Sequence, residues 1–437
     1  MPSHDMTVTH PPRAGAGESR ITGPPSRDAA SGQLAVGDIP RAAPDFKPRP
    51  HLLAELNRAD RGVQLLTGPL GAGSTQLAAA YARAKLAAGW RLVAWVNAGN
   101  SGNLLAGLAT VAEALGLSAG GSRRDAIAAG RMLRHWLETD GDNCLLVFDD
   151  AEDSDALREF VPDGAARVLI TRTRQPSANP QVGLAVDVFS ADEALAFLAG
   201  PTGLDNAGRA AAVAAELGHL PLALAQAAAV TAGHRLAYGV YLDRLRTLPA
   251  QEDLTQEDGQ ASPDGATAAV LLSLQAVRAA DRAGVTTRML EIIAVLSAAG
   301  VRRELLHIAG QAGALASGGH RIPAAQVDRA LDWLSHRSLL SVSLDDQTII
   351  MHRMVAQVVR AWLARRERLA AVCRVAASVL EARATGLGRS QDRAAVRDVP
   401  QQVQALLETT AGLAGEPDKE LAGILLRLRF VALYHLI

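Results

Sequence analysis

The stretch TGPLGAGSTQLA, positions 67–78, constrains this chain more than any other. Four residues separate Gly68 from Gly73, and Ser74 and Thr75 follow. A loop that wraps phosphate reads Gly, four residues, Gly, Lys, then Ser or Thr. The pattern is complete here except that Ser74 holds the lysine position. Spacing alone is weak support, because 39 glycines in 437 residues give about three or four such pairs by chance. Context decides. The loop follows the apolar run GVQLLT (62–67) and opens the alanine-rich stretch TQLAAAYARAKLAAG (75–89), which Gly89 closes as a helix would be closed. Strand, loop and helix in that order aim backbone N–H groups and a helix dipole at one anion. Gly71 and Gly73 let the backbone come close to a phosphate, and the Thr75 hydroxyl suits Mg²⁺. Gly68, Gly71, Ala72, Gly73, Ser74, Thr75 and Gln76 are the expected contacts.

Further apolar runs follow at RLVAWVNA (91–98), CLLVFDD (144–150), RVLITR (167–172) and LAVDVF (184–189), with helical patterns at about 102–116 and 123–138. Short continuous strands alternating with helices predict an α/β fold, a parallel sheet covered on both faces. In such a sheet the strand ending in Asp149 and Asp150 delivers both acids to the edge where the glycine loop lies. Asp149 is then placed to hold Mg²⁺ through water, and Asp150 to orient or deprotonate an attacking water. Thr171 and Arg172 end a further strand at the same edge. There a hydroxyl can sense a terminal phosphate and an arginine can offset its charge. Arg172 and Arg174 are both candidates for the arginine.

After Ser190 the strands stop. Ser190 and Glu193 form a capping box, and helical patterns run through 206–218, 221–233 and 238–248, up to a polar linker at 249–266. Short helices then lead to SLLSVSLDDQTIIMH (338–352), where two apolar runs flank Asp345–Asp346–Gln347 as in a hairpin. Helices followed by a hairpin describe a winged-helix-type unit. Residues 353–437 are helical and end on the apolar RFVALYHLI, which predicts the start of a helical-repeat array.

The formal net charge of −1 offers no field for DNA, RNA or an anionic membrane. The hairpin's acidic tip argues against a DNA-reading wing. Cys144 and Cys373 fit neither a metal spacing nor a disulfide framework. No signal core or spanning segment is present, so a cytoplasmic protein is expected.

In order along the chain, these motifs resemble the NB-ARC group of signal-transduction ATPases, including its actinobacterial regulators. FKPRP (46–50) resembles the group's Phe-x-Gly-Arg segment, with Arg49 at the arginine and Pro48 where glycine is usual. The phosphate loop matches except at Ser74, and LLVFDD and VLITR match the Mg²⁺ and sensor strands. GHLPLAL (218–224) looks like Gly-Leu-Pro-Leu-Ala with His219 in place of a leucine, and MHR (351–353) looks like Met-His-Asp with Arg353 in place of the acid. Residues 1–45, rich in Pro, Gly, Ser and Ala, read as a disordered leader. The resemblance implies a P-loop NTPase fold with a nucleotide-binding domain over 46–200 and a small helical domain over 201–255. A winged-helix-type domain over 266–365 and a tetratricopeptide-like helical region over 366–437 follow. It implies ADP or ATP with Mg²⁺ as ligands, Pro221 near the adenine and His352 at the β-phosphate. On the residues alone, Pro221 reads as a helix-opening proline and His352 as a partly buried histidine after a strand. It also implies a nucleotide-gated switch that forms homo-oligomers and meets protein partners through its C-terminal helices. Ser74 shifts the expectation to weak or absent hydrolysis, since lysine offsets charge developing on the transferred phosphoryl group. The alternatives are a nucleotide-independent interaction scaffold and, behind it, a winged-helix DNA-binding regulator.

Overall fold

The computed structural model describes residues 32–44, 46–58, 62–117, 123–152, 154–173, 183–202, 207–252, 264–387, 393–413 and 419–436. Its first part runs β1 (Leu34–Val36), α1 (Pro50–Arg58), β2 (Gly62–Gly68), α2 (Ser74–Ala87), β3 (Leu92–Asn97) and α3 (Ser101–Ala114). Then come α4 (Arg123–Asp140), β4 (Cys144–Asp149), α5 (Ser154–Arg158), β5 (Arg167–Thr173) and β6 (Leu184–Ala185). The six strands form one sheet in the order β1-β3-β4-β5-β2-β6, and each pairing is parallel. This is the α/β arrangement of a P-loop NTPase, with β5 between the loop strand and the acid strand.

Alternation along the strands sorts the two faces. Leu66, Leu145, Val147 and Leu169 pack with Leu52 and Leu56 of α1 and with Leu77, Ala78 and Tyr81 of α2. Cys144, Leu146, Phe148 and Val168 pack with Leu104 and Leu108 of α3 and with Leu133 and Leu137 of α4. The strand centres are apolar on both faces because helices cover both sides.

The second part is helical. It contains α6 (Ala191–Thr202), α7 (Ala207–Glu216), α8 (Pro221–His234), α9 (Tyr238–Glu252), α10 (Asp264–Ala280) and α11 (Val285–Ala294). After β7 (Val301–Arg302) come α12 (Arg303–Gln311), α13 (Ala324–His336), β8 (Leu340–Val342) and β9 (Thr348–Met351). Finally α14 (Arg353–Arg365), α15 (Leu369–Leu387), α16 (Arg393–Ala411) and α17 (Lys419–Leu436) end the described chain. One continuous core runs from Phe189 through Ala432, joining all these helices. The capping box at α6 is reciprocal: Ser190 N–H donates to Glu193 Oε2 (2.8 Å) and Glu193 N–H to Ser190 Oγ (3.1 Å). The hairpin turns at Asp345–Gln347, with Asp346 at φ 63°.

Several expectations are corrected. The leader ends early: Leu34–Val36 extends the sheet beside β3, and Ile39 is buried. Residues 1–31 lie outside the described residues. The strand expected over 184–189 is only Leu184–Ala185, although Val186 N–H still reaches Thr67 O at 2.8 Å. The linker expected over 249–266 is helical at both ends, to Glu252 and from Asp264. The helix α6 shares the core of α7 and α8, not that of the sheet, so the helical part begins near 190 instead of 201. The hairpin has a third strand, β7, antiparallel to β9.

Candidate functional site

Gly71 (φ 88°) and Gly73 (φ 98°) lie in the left-handed region, which glycine enters without a Cβ penalty. Their curl ends β2 and starts α2 at Ser74, leaving the first-turn N–H groups of α2 without helical partners. A Cβ on Gly71 would lie 3.1 Å from Leu220 and 3.3 Å from Leu222. The loop is therefore closed over by the start of α8, and Leu222 N–H donates to Gly71 O at 3.2 Å.

The parallel register carries the acids to this loop. Odd-numbered residues of β4 and β5 face α2, so Asp149 and Thr171 share the face of Thr75. Thr75 Oγ1 is 2.9 Å and Thr171 Oγ1 is 2.6 Å from Asp149 Oδ1. Thr171 Oγ1 also accepts from Asp150 N–H at 2.8 Å. Its hydroxyl is thus spent on the two acids, so it positions them, whereas the sequence reading gave it a phosphate to sense. Burial raises the Asp149 pKa against the opposing hydrogen bonds from Thr171, Thr75 and the Asp150 N–H. Asp150, at φ 58°, has its pKa raised to about 6, first by burial and then by the Asp149 charge; Arg353 opposes both.

Arg172 falls on the opposite face of β5 from Thr171, so the strand does not carry it to Asp149. Arg174 lies outside the described residues. Gly68 closes β2 beneath the loop, where a Cβ would meet Val186 O at 2.3 Å.

Beside the loop a cavity encloses about 880 Å³ of space open to solvent. Gly71, Ala72, Gly73 and Gln76 line it from the loop, Pro221 and Leu222 from α8, Phe189 and Phe197 from the start of the helical part, and His352 from the end of the hairpin. Arg49 also lines it, but its guanidinium is committed. Nη1 donates to Asp187 O (2.6 Å), Nη2 to Ala72 O (3.3 Å), and its Cζ lies 4.8 Å from the Phe189 ring centroid. Its role is to brace the loop against the chain after β6. Gln76 Oε1 accepts from Ala43 N–H at 3.3 Å, closing the site with the segment before α1. Pro221 is the first residue of α8. His352 caps α14: Nδ1 accepts from Met354 N–H at 3.2 Å, which leaves the ring proton on Nε2. Burial and then the neighbouring Arg353 lower its pKa to about 4, so the ring is a neutral donor at neutral pH.

Loop, acids, Pro221 and His352 thus converge from four stretches of the chain. Two features escaped the sequence. The hairpin residues Ser338–Ser341 line the cavity. Arg353, read only as a departure from a motif, pairs with Asp150 at 3.5 Å and also with Glu152. No local signal links positions 203 residues apart.

The donor set suits a hard divalent cation. A hydroxyl and a carboxylate meet at one point, and Mg²⁺ completes its shell with water and phosphate oxygens. Among the described residues no three His, Cys, Asp or Glu side chains gather as an all-protein metal cage. No described helix is long and apolar enough to cross a membrane.

No protein-family model matches the sequence, and comparison with curated proteins gives no match. Among solved structures, the chain is similar to a Signal Transduction ATPase with Numerous Domains protein with a tetratricopeptide repeat sensor from Pyrococcus horikoshii. That match has 14% identity and a TM-score of 0.46, over 90% of this chain and 58% of that one. A Walker-type ATPase of Pyrococcus abyssi matches with 16% identity and a TM-score of 0.34, over 74% of this chain and 98% of that one. The ORC2 protein of Aeropyrum pernix, solved as ADPNP–ADP complexes, matches with 14% identity and a TM-score of 0.30, over 75% of this chain and 96% of its own. These are likenesses of fold, and the chain spans 58% of the length of the Pyrococcus horikoshii protein.

Proposed function

We propose that this chain is an adenine-nucleotide-binding switch that holds ADP or ATP with Mg²⁺ and hydrolyses it weakly or not at all. The observation that carries the reading is the 2.9 Å contact of Thr75 with Asp149 beside a cavity whose walls come from the loop, α8 and the hairpin. Loop N–H groups and the N-terminus of α2 bind the phosphates. Thr75 and Asp149 would hold the cation, which would neutralise phosphate charge. Phe189, Phe197 and Leu222 give the cavity apolar walls suited to a flat base. Pro221 lies on that wall, and the His352 Nε2–H is free of the helix cap and would donate to a phosphate oxygen. Asp150 is the group placed to orient water.

Slow turnover follows from Ser74. A serine hydroxyl cannot neutralise charge that develops on a phosphoryl group in flight. Binding suffers less, because the amides, dipole and cation site remain. Because the ligand would touch three parts of one chain, its presence favours the closed arrangement, and its exchange would govern assembly with further copies or with partners at the C-terminal helices.

The test is direct. Freshly purified protein, denatured and analysed by mass spectrometry, is expected to release ADP or ATP, and a fluorescent ADP analogue is expected to bind the emptied protein. Absence of released nucleotide together with no binding at millimolar concentration would sink the reading.

A further inference from the structure

The phosphate loop has no lysine, yet a cation reaches the same sheet edge from elsewhere. Arg353 is the first residue of α14, directly after the cavity-lining His352. Its guanidinium crosses from the hairpin unit to the end of β4. There it meets Asp150 at 3.5 Å and Glu152, with 29% of its side chain exposed against 25% and 50% for these partners. The cations that line the cavity itself are placed differently. Arg49 is held by two backbone carbonyls and stacked on Phe189. Lys47 sits on the exposed segment before α1.

We propose that Arg353 is the residue by which this chain recognises the third phosphate of a nucleoside triphosphate, a role that rests on the nucleotide reading above. Three carboxylates, Asp149, Asp150 and Glu152, stand against one guanidinium here, so this edge carries an excess of negative charge. A γ-phosphate arriving beside Asp149 and Asp150 adds more, and the loop offers no lysine against it. Arg353 is the cation in that balance. Its contacts are ion pairs at half-open positions, which a doubly charged phosphate can outcompete through bidentate hydrogen bonding. On this assignment a diphosphate would leave Arg353 on Asp150 and Glu152. The third phosphate would thereby pull on α14 and shift the hairpin unit, linking ligand identity to domain position.

The experiment measures affinity for ADP and for a non-hydrolysable ATP analogue, both with Mg²⁺, in the wild type, Arg353→Gln, Arg353→Lys and Glu152→Gln. Arg353→Gln is expected to weaken triphosphate binding about tenfold or more while changing ADP binding little. Arg353→Lys should recover part of that loss. Glu152→Gln, which frees the guanidinium from one competitor, should raise triphosphate affinity. Equal loss of both ligands in Arg353→Gln would mark a merely structural residue, and equal gain would mark a lock on the closed form; either result overturns the assignment. If the wild type binds neither ligand, the nucleotide reading falls and this assignment falls with it, whereas a wild type that binds both with an unmoved ratio in Arg353→Gln sinks the assignment alone.

Discussion

Ser74 removes a charge from a site that otherwise keeps its parts. The loop curls through Gly71 and Gly73, Thr75 meets Asp149, and His352 lines the cavity. A hydrogen bond to a charged group contributes roughly 1.5–3 kcal/mol, which corresponds to about one to two powers of ten in affinity. Ser74→Lys is therefore expected to tighten ATP by ten- to a hundredfold and to raise phosphate release by more, read by fluorescence titration and a phosphate assay. No change in either quantity would favour the scaffold alternative or a site compensated from elsewhere. His352 sets a second expectation. Its folded pKa of about 4 lies below the ordinary 6.5. The unfolded chain thus binds the proton more readily, so the neutral ring stabilises the fold above pH 6.5, and that stability drains away as pH falls towards 4. The full effect is at most about 3 kcal/mol. His352→Asn should flatten the pH dependence of the melting temperature over this window, and an unchanged slope would reject the linkage.

At the scale of elements, the sequence spoke clearly wherever periodicity ran long enough. The strands β2 to β5 read as continuous apolar runs because helices cover both faces, and the Ser190–Glu193 box is a local exchange of two hydrogen bonds. It was silent on β1 and β7, of three and two residues, whose pairing depends on partners far along the chain. The acids and Thr75 were legible because register and strand direction alone bring them together. The Asp150–Arg353 pair was not, because it depends on how the hairpin unit docks. The edge strand β1 can be tested through Gly37, which has φ 89° and whose added Cβ would lie 2.0 Å from Trp95 O. Gly37→Ala must shift backbone or break the turn that follows β1. It is expected to cost on the order of 2–3 kcal/mol and to expose the amides of β3 to faster hydrogen exchange. A variant with wild-type melting and wild-type protection of β3 would show that β1 is not an integral strand.

At the scale of the whole molecule, two kinds of core coexist. The sheet has two separate apolar layers, whereas the helices from α6 to α17 share one. Apolar contacts join the two parts, Leu70 packing on the helical core and Leu344 on that of the sheet, and polar ties add to them. Leu344 N–H donates to Ile39 O and Arg41 N–H to Val342 O, each at 2.9 Å, and Arg41 also pairs with Asp346, so the chain after β1 straps the sheet to the hairpin. Arg397 of α16 pairs with Glu113 of α3 and donates to Thr110 Oγ1 at 3.1 Å. Within the helical part, Gln226 Nε2 of α8 donates to Ser338 O at 2.6 Å, holding α8 to the hairpin. Polar ties of this kind can be broken and remade at little cost, while the helical core opens only as a unit. Cutting two ties at once, by Arg41→Ala with Arg397→Ala, should therefore leave the helical core intact and free the sheet. Calorimetry of the nucleotide-free double variant is expected to resolve two transitions where the wild type gives one. Added ADP should draw them together, because the ligand would contact both parts and stabilise their closed arrangement. A single transition in the double variant, with and without ADP, would mean that buried contacts rather than these ties hold the parts together, and the chain could not then open by releasing them.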